Sequence, residues 1–99
     1  MKIYIAGPMT GLPEHNYPAF NREAEFLRRQ GWEVVNPAEL WPNFEGAVRD
    51  LTEIVKLDLA MLCECDTIYM LRGWERSAGA RTEHAVAVWL NLEILYANA

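Results

Sequence analysis

Short segments rich in β-forming residues alternate along the chain with longer segments of helical periodicity. Four segments are predicted strands: residues 2–6, 32–35, 66–71 and 92–96. In three other segments apolar residues recur every three or four positions, which predicts helices: residues 18–29, 44–62 and 79–91. The resulting order, β-α-β-α-β-α-β, predicts one parallel sheet whose strands are joined by right-handed crossovers.

Residues at the ends of the first predicted helix support this division. Pro18 suits the first turn of a helix, with Asn16 or Tyr17 as its cap, and Gly31 follows the last turn. We therefore expect a three-layer α/β fold, flavodoxin-like or Rossmann-like, with a parallel sheet of about four strands and helices on both faces. The 99 residues are enough for one small domain, residues 1–99.

The charge balance narrows the classes of function. The net charge is −5, whereas a nucleic-acid groove needs a basic face, so we expect no nucleic-acid polymer as a partner. A mononucleotide remains compatible, because its phosphate needs only a local cluster of donors. No apolar run approaches membrane length and no leader pattern opens the chain, so we expect a cytoplasmic protein without a membrane partner.

The cysteines and histidines point to no metal or disulfide framework. Cys63 and Cys65 lie one residue apart in or near a predicted helix, where their side chains point in different directions. His15 and His84 lack the spacing of metal ligands and are interpreted as structural or surface residues. We predict no metal and no cofactor. A chain this small buries little surface alone, so a homodimer or a higher homo-oligomer is expected.

Loops after the strands are where a ligand is expected. In a parallel α/β sheet, ligands bind at the carboxyl ends of the strands. Those ends are followed here by residues 7–16, 36–43 and 72–83. The first of these loops begins with the sequence GPMTG, which is either a tight turn or a ligand-binding loop.

Asp58 is a carboxylate among the apolar residues of a predicted helix. It lies three or four residues from Ile54 and Val55 on one side and from Met61 and Leu62 on the other, which places it on the apolar face. A buried charge is costly unless it is paired or hydrogen-bonded. Two interpretations stay open: a structural aspartate bonded to a nearby loop, or a carboxylate that faces a ligand cavity.

Glu83 begins an alanine-rich helix shortly after Ser77 and Gly79. An acidic residue in the first turn is favourable to the helix dipole, which is a sufficient structural explanation. A serine and a glycine at a helix start also provide a hydroxyl and free backbone N–H groups for a phosphate.

Two aromatic residues also have both a structural and a functional interpretation. Tyr4, on the strand face opposite its two isoleucine neighbours, is by itself explained as a half-buried strand residue, and Trp74 either stacks on a base or covers the core.

Several stretches of the sequence resemble a known family. The chain begins KIYIAGPMTG and continues with NYPAFN and EVVNPAE. Over nearly its whole length it resembles the nucleoside 2-deoxyribosyltransferase superfamily, especially a short, phage-associated branch of uncharacterised, DUF4406-like proteins. A second pattern, DLAMLCECD followed by a strand and SAGARTE, is similar to the site pattern of the deoxynucleoside 5′-monophosphate N-glycosidases of that superfamily.

The resemblance implies roles for particular residues. Glu83 would be the nucleophile that attacks the anomeric carbon, Asp58 would assist protonation of the leaving base, and Tyr4 would orient the glutamate. The implied substrate-binding residues are Ser77, which would seat the 5′-phosphate, Gly79 beside it, and Gly7, Pro8 and Met9 in the loop next to the sugar and base. The chain departs from the superfamily at His84, where those enzymes usually have an aliphatic residue.

These residues predict an enzyme that cleaves or transfers the N-glycosidic bond of a (deoxy)nucleoside or a nucleoside 5′-monophosphate, a small-molecule partner. Such chemistry needs one carboxylate to capture the anomeric carbon and one acid to protonate the base. We expect Glu83 to be ionised and desolvation to raise the pKa of Asp58. The alternative is a non-catalytic protein that binds a nucleotide or sequesters a nucleotide-derived signal.

Overall fold

The computed structural model describes residues 1–40 and 51–97, and these form four strands that alternate with helices. The strands are β1 (Lys2–Ala6), β2 (Glu33–Val35), β3 (Thr67–Met70) and β4 (Glu93–Tyr96). The α-helices are α1 (Tyr17–Arg29), α2 (Pro37–Leu40), α3 (Leu51–Cys63) and α4 (Ala78–Trp89). Two short 3₁₀ turns, Pro13–Asn16 and Trp74–Arg76, follow β1 and β3.

All neighbouring strands of the sheet run parallel, in the order β2-β1-β3-β4. Tyr4 on β1 lies opposite Val35 on β2 and Ile68 on β3, so β1 has a hydrogen-bonded neighbour on both sides. Helices lie on both faces of the sheet, which makes the three-layer α/β architecture predicted from the sequence. That prediction is confirmed.

The two faces of the sheet carry separate hydrophobic clusters, because successive side chains of a strand point to opposite sides. On the first face, Tyr4 and Met70 pack with Leu62 of α3 and Ala80 and Ala87 of α4. We call this the α4 face. On the second, the α1 face, a different set packs around α1: Ile3, Ile5, Tyr69 and Leu71 with Phe20, Ala24 and Leu27. Tyr4 therefore lies on the face opposite its isoleucine neighbours, as its position in the strand predicts.

Several boundaries differ from the sequence-based prediction. α4 begins at Ala78, and the 3₁₀ turn Trp74–Arg76 and the helix Pro37–Leu40 occupy segments that carry no helical periodicity. Of the long helix predicted over residues 44–62, the described part is Leu51–Cys63, and the first half of its apolar stripe lies outside the described residues. Along residues 1–40 and 51–97, no helix is both long enough and apolar enough to span a bilayer.

Candidate active site

The phenol of Tyr4 donates a hydrogen bond to Glu83, with 2.5 Å between Tyr4 Oη and Glu83 Oε2. Tyr4 is fully buried at the centre of β1, whereas Glu83 is half-buried in the second turn of α4. The pair meets because α4 packs across β1 and β3 on the face to which Tyr4 points. A residue of the first strand and a residue of the last helix thus share one short contact.

Asp58 approaches the same pair from α3. It lies one helical turn from Ile54 and one turn from Leu62, both buried, and is itself half-buried. Its negative charge contributes to raising the pKa of Glu83 and the pKa of Tyr4. The structure therefore brings Tyr4, Glu83 and Asp58 together, from β1, α4 and α3 respectively.

Burial changes the protonation expected for Glu83. The pKa of Glu83 is raised to about 7: desolvation is the main cause, the hydrogen bond from Tyr4 lowers the pKa, and the charge of Asp58 raises it. Without a ligand the carboxyl is thus close to half-protonated at neutral pH, which differs from the fully ionised glutamate expected from the sequence. Burial, with the nearby carboxylates, raises the pKa of Tyr4 well above its usual value. The phenol therefore stays protonated and donates a hydrogen bond to Glu83.

Ser77 and Gly79 form the start of α4. Ser77 is the N-cap residue, and its Oγ accepts a hydrogen bond of 3.1 Å from the backbone N–H of Ala80. The first amides of a helix have no acceptor within it, so this end offers free N–H groups. A Cβ added to Gly79 would come only within 3.9 Å of Ser77 Oγ, so packing does not demand a glycine there.

The loop that follows β1, residues 7–16, lies against the loop that follows β3. A Cβ added to Gly7 would lie 2.7 Å from Leu71 Cβ, so only glycine allows the two strand ends this close. Pro8 lies beside Gly73 of the second loop. The side-chain amide of Asn16 donates to the carbonyl oxygen of Pro8 at 2.9 Å. Gly7 thus allows a close approach between its backbone and Leu71.

Met9 and Asn16, in the same loop, make contacts that their positions in the sequence do not indicate. Met9 packs against the hydrophobic cluster on the α1 face of the sheet. Asn16 occupies the N-cap position of α1, as one of two predicted caps, but its side chain makes no cap hydrogen bond because it bonds to Pro8.

An aromatic cluster of Trp74, His84 and Tyr96 includes the residue that follows Glu83 in α4, and the sequence did not indicate it. The ring of Trp74 stacks on that of His84, with centroids 4.4 Å apart and an interplanar angle of 21°. His84 Nε2 lies 3.2 Å from Tyr96 Oη, within hydrogen-bonding distance. A cavity of about 210 Å³ next to this cluster is lined by Trp74 and Tyr96 together with Arg72 and Glu75. The cluster joins three distant segments, so no local spacing signals it.

Within the described parts of the chain, no group of three or more histidine, cysteine, aspartate or glutamate side chains is arranged to hold a metal ion. Both cysteines are free thiols, Cys63 exposed and Cys65 buried, and burial raises the pKa of the Cys65 thiol to about 11. The candidate site thus consists of two carboxylates, a buried phenol and the start of a helix.

Comparison with known proteins identifies the family. No curated protein sequence matches the chain. Among solved structures, a 2-desoxiribosyltransferase from Leishmania mexicana is similar to it, with 22% sequence identity and a TM-score of 0.73. The similarity covers 96% of this chain but 62% of that one, and at this identity it shows a shared fold. The model of the family described as "Domain of unknown function (DUF4406)" matches residues 1–96, and the chain therefore belongs to that family.

Proposed function

We propose that the protein cleaves or transfers the N-glycosidic bond of a (deoxy)nucleoside or a nucleoside 5′-monophosphate, with Glu83 as the nucleophile. The observation that carries the proposal is the 2.5 Å hydrogen bond from Tyr4 to Glu83, beside a second carboxylate at Asp58 whose charge acts on both. The fold shared with the Leishmania mexicana 2-desoxiribosyltransferase supports nucleoside chemistry.

One carboxylate oxygen of Glu83 accepts a hydrogen bond, and the other is available for attack on the sugar. Tyr4 donates to Oε2, which leaves Oε1 to attack the anomeric carbon of a bound sugar. As the bond from Oε1 to carbon forms, the bond from carbon to the base nitrogen breaks, and its electron pair stays on the base. The hydrogen bond from Tyr4 fixes the orientation of the carboxylate before the attack, and preorganisation of this kind lowers the barrier.

Asp58 supplies the proton that the departing base needs. A proton held by Asp58 passes to the base nitrogen as the glycosidic bond breaks, which leaves Asp58 ionised. Protonation of Asp58 also removes the charge that raises the pKa of Glu83, so the state with neutral Asp58 favours an ionised Glu83. The pair can therefore share one proton in the arrangement that the reaction requires. Water then releases the sugar from Glu83, or a second base accepts it.

A 5′-phosphate fits the start of α4. Ser77 Oγ accepts from the Ala80 amide, so its hydroxyl proton remains free to donate to a phosphate oxygen. Gly79 lies in the first turn without a packing reason to be glycine, which is favourable for close approach of an anion to the backbone. Gly7, Pro8 and the neighbouring Met9 would then border the sugar and base from the loop after β1.

The experiment that tests this function measures release of free base. The purified protein is incubated with a panel of nucleosides, deoxynucleosides and their 5′-monophosphates, and the products are separated by chromatography. We expect base release by the wild type, and loss of at least about 10³-fold in the Glu83→Gln variant with nucleotide binding retained. The matched control is Glu23→Gln, because Glu23 also accepts a hydrogen bond from a tyrosine, Tyr69, on the opposite face of the sheet.

The outcome also separates an enzyme from a binding protein. Binding without base release, unchanged by Glu83→Gln, would replace the enzymatic proposal with the non-catalytic one, which needs Ser77 and the helix start but not the Tyr4–Glu83 pair. Full turnover by Glu83→Gln would remove Glu83 from the role of nucleophile.

A further inference from the structure

Two adjacent residues of α4 contact tyrosines on two different strands. Glu83 receives its hydrogen bond from Tyr4 on β1, and His84 lies 3.2 Å from the hydroxyl of Tyr96, the last residue of β4. In the sheet, β1 and β4 are the two neighbours of β3. The helix therefore lies over β3 and is attached to the strand on each side of it.

The helix itself explains how adjacent residues reach opposite sides. Ala80 and Ala87 are buried on the α4 face and form the ridge by which α4 rests on the sheet. Successive helical residues are about 100° apart around the axis, so Glu83 and His84 project to the two sides of that ridge. Both are half-buried, as expected for positions that flank a buried stripe.

The alanine ridge, even with the partly buried Val86 and the contact between α3 and α4, restrains rotation of the helix about its own axis less than large side chains on the ridge would. Alanine methyl groups are short and do not interlock deeply with a neighbouring surface. A side-chain atom about 6 Å from the helix axis moves by roughly 2 Å when the helix rolls by about 20°. A displacement of that size is enough to break the 2.5 Å contact between Tyr4 and Glu83.

We propose that His84 and Tyr96 are positioning residues for Glu83: their hydrogen bond, braced by the stacked ring of Trp74, fixes the rotation of α4 and so keeps the Glu83 carboxylate on Tyr4. Trp74 is suited to this because it packs on the α4-face cluster and stacks on His84 at 4.4 Å. Tyr96 is also within 6.2 Å of the Trp74 ring, centroid to centroid. The consequence for catalysis rests on the proposed function, but the positioning does not.

The groups around Glu83 determine its pKa, which can be measured. Tyr4 faces it from β1 and Asp58 acts on it from α3, while His84 projects away towards β4. The bond from Tyr4 is the contact that lowers the pKa of the carboxyl, so weakening that bond raises the pH at which Glu83 titrates. NMR of a ¹³C-labelled glutamate carboxyl follows this midpoint directly, and the signal is assigned by its loss in Glu83→Gln.

The test variant is Tyr96→Phe, which removes one hydroxyl and keeps the ring. We expect the Glu83 midpoint to rise by about half a pH unit or more, and base release to show a lower kcat with little change in KM. The control is Tyr69→Phe, which removes the hydroxyl that donates to Glu23 on the α1 face, and this variant should keep the wild-type midpoint. His84→Phe, which can still stack on Trp74, should reproduce the effect of Tyr96→Phe.

A double variant separates positioning from a general loss of stability. In the Tyr4→Phe background there is no bond for the helix to protect, so adding Tyr96→Phe should shift the midpoint no further. An unchanged midpoint in folded Tyr96→Phe and His84→Phe, or an equal shift with and without Tyr4, overturns the proposal. Because the NMR titration needs no turnover, a wild type that releases no base refutes the proposed function and still leaves the positioning tested.

Discussion

Tyr4 and Glu83, 79 residues apart in the chain, share a hydrogen bond of 2.5 Å between a buried strand and the last helix. The phenol stays protonated, because its pKa is raised by burial and by the neighbouring carboxylates. It therefore acts as a fixed donor, while the carboxyl beside it titrates near neutral pH. A strong donor held against a titrating acid is typical of functional sites more than of structural cores.

Removal of the donor should impair catalysis more than folding. We expect Tyr4→Phe to lower kcat by about 10- to 100-fold, the effect of losing a hydrogen bond to a charged group, with KM nearly unchanged. Steady-state kinetics with the best substrate of the panel measure this. Tyr69→Phe, which loses a comparable bond on the other sheet face, should retain wild-type kinetics. Equal losses in both variants would contradict a specific role for Tyr4.

The rate should depend on the ionisation of Glu83. The reaction needs the one proton that Glu83 and Asp58 share, and this proton is lost with a pKa of about 7, so kcat/KM should fall as the pH rises through that value. In Tyr4→Phe the same limb should move to higher pH, because the bond that lowers the pKa is gone. A pH–rate profile of both proteins checks this, and a wild-type kcat/KM that rises or stays level from about pH 6 to about pH 9 would refute it.

The free energy of unfolding should also depend on the ionisation of Glu83. Glu83 binds its proton more tightly in the folded protein, where its pKa is about 7, than in the unfolded chain, where it is near 4.5. The stabilisation is therefore fully present below about pH 4.5 and is lost as the pH rises through 7. At about 1.4 kcal/mol per pKa unit, Glu83→Gln should gain up to roughly 3 kcal/mol over the wild type between pH 4.5 and pH 8. Urea unfolding at several pH values measures the difference, and Glu23→Gln should show no such gain.

Charge at Ser77 should discriminate between ligands. Aspartate is also a good N-cap residue, so Ser77→Asp keeps the cap of α4 but sets a negative charge against a 5′-phosphate. We expect the affinity for 5′-monophosphates to fall by about 10-fold or more, and the affinity for nucleosides to change little. Ser77→Asn is the neutral control, and calorimetric titration gives the affinities. Equal losses for both ligand classes would remove Ser77 from the phosphate site.

Two glycines should respond in opposite ways to alanine. At Gly7 the new methyl group would lie 2.7 Å from Leu71 Cβ, and we expect a loss of about 1–3 kcal/mol in unfolding free energy. At Gly79 there is room, so alanine should add up to about 1 kcal/mol to the stability of α4 and weaken monophosphate binding. Thermal unfolding of the two variants measures both changes in stability. A Gly7→Ala variant as stable as the wild type would contradict the close approach of Gly7 to Leu71.

The fold could be predicted from the sequence because its signals are local. Alternation in residues 2–6 and helical periodicity in residues 18–29 each follow from side-chain direction within one element. The short helix Pro37–Leu40 was missed because four residues carry no period. The roles of Glu83, Asp58, Tyr4 and Ser77 remain predictions that are drawn from a resemblance. Among these residues, Tyr4 contacts Glu83, and the charge of Asp58 acts on Glu83.

What the sequence could not reveal depends on contacts between distant elements. Nothing near Gly7 indicates that Leu71 will lie against it, since 64 residues separate them. His84 was interpreted as a structural or surface residue, and only the position of β4 beside β3 shows its contact with Tyr96. Likewise, the raised pKa of Glu83 follows from burial of its side chain where α4 packs on β1, which no spacing in the sequence encodes.

The placement of β1 between β2 and β3 has a consequence for any partly folded form of this chain. Tyr4 meets Glu83 only after the strand that carries Tyr4 has paired across more than 60 residues with β3, and α4 has docked over both. Such long-range pairing forms late and is lost with the native state as a whole. Folding intermediates that retain only isolated helices would therefore be inactive. Turnover would occur only in molecules that have completed the whole fold.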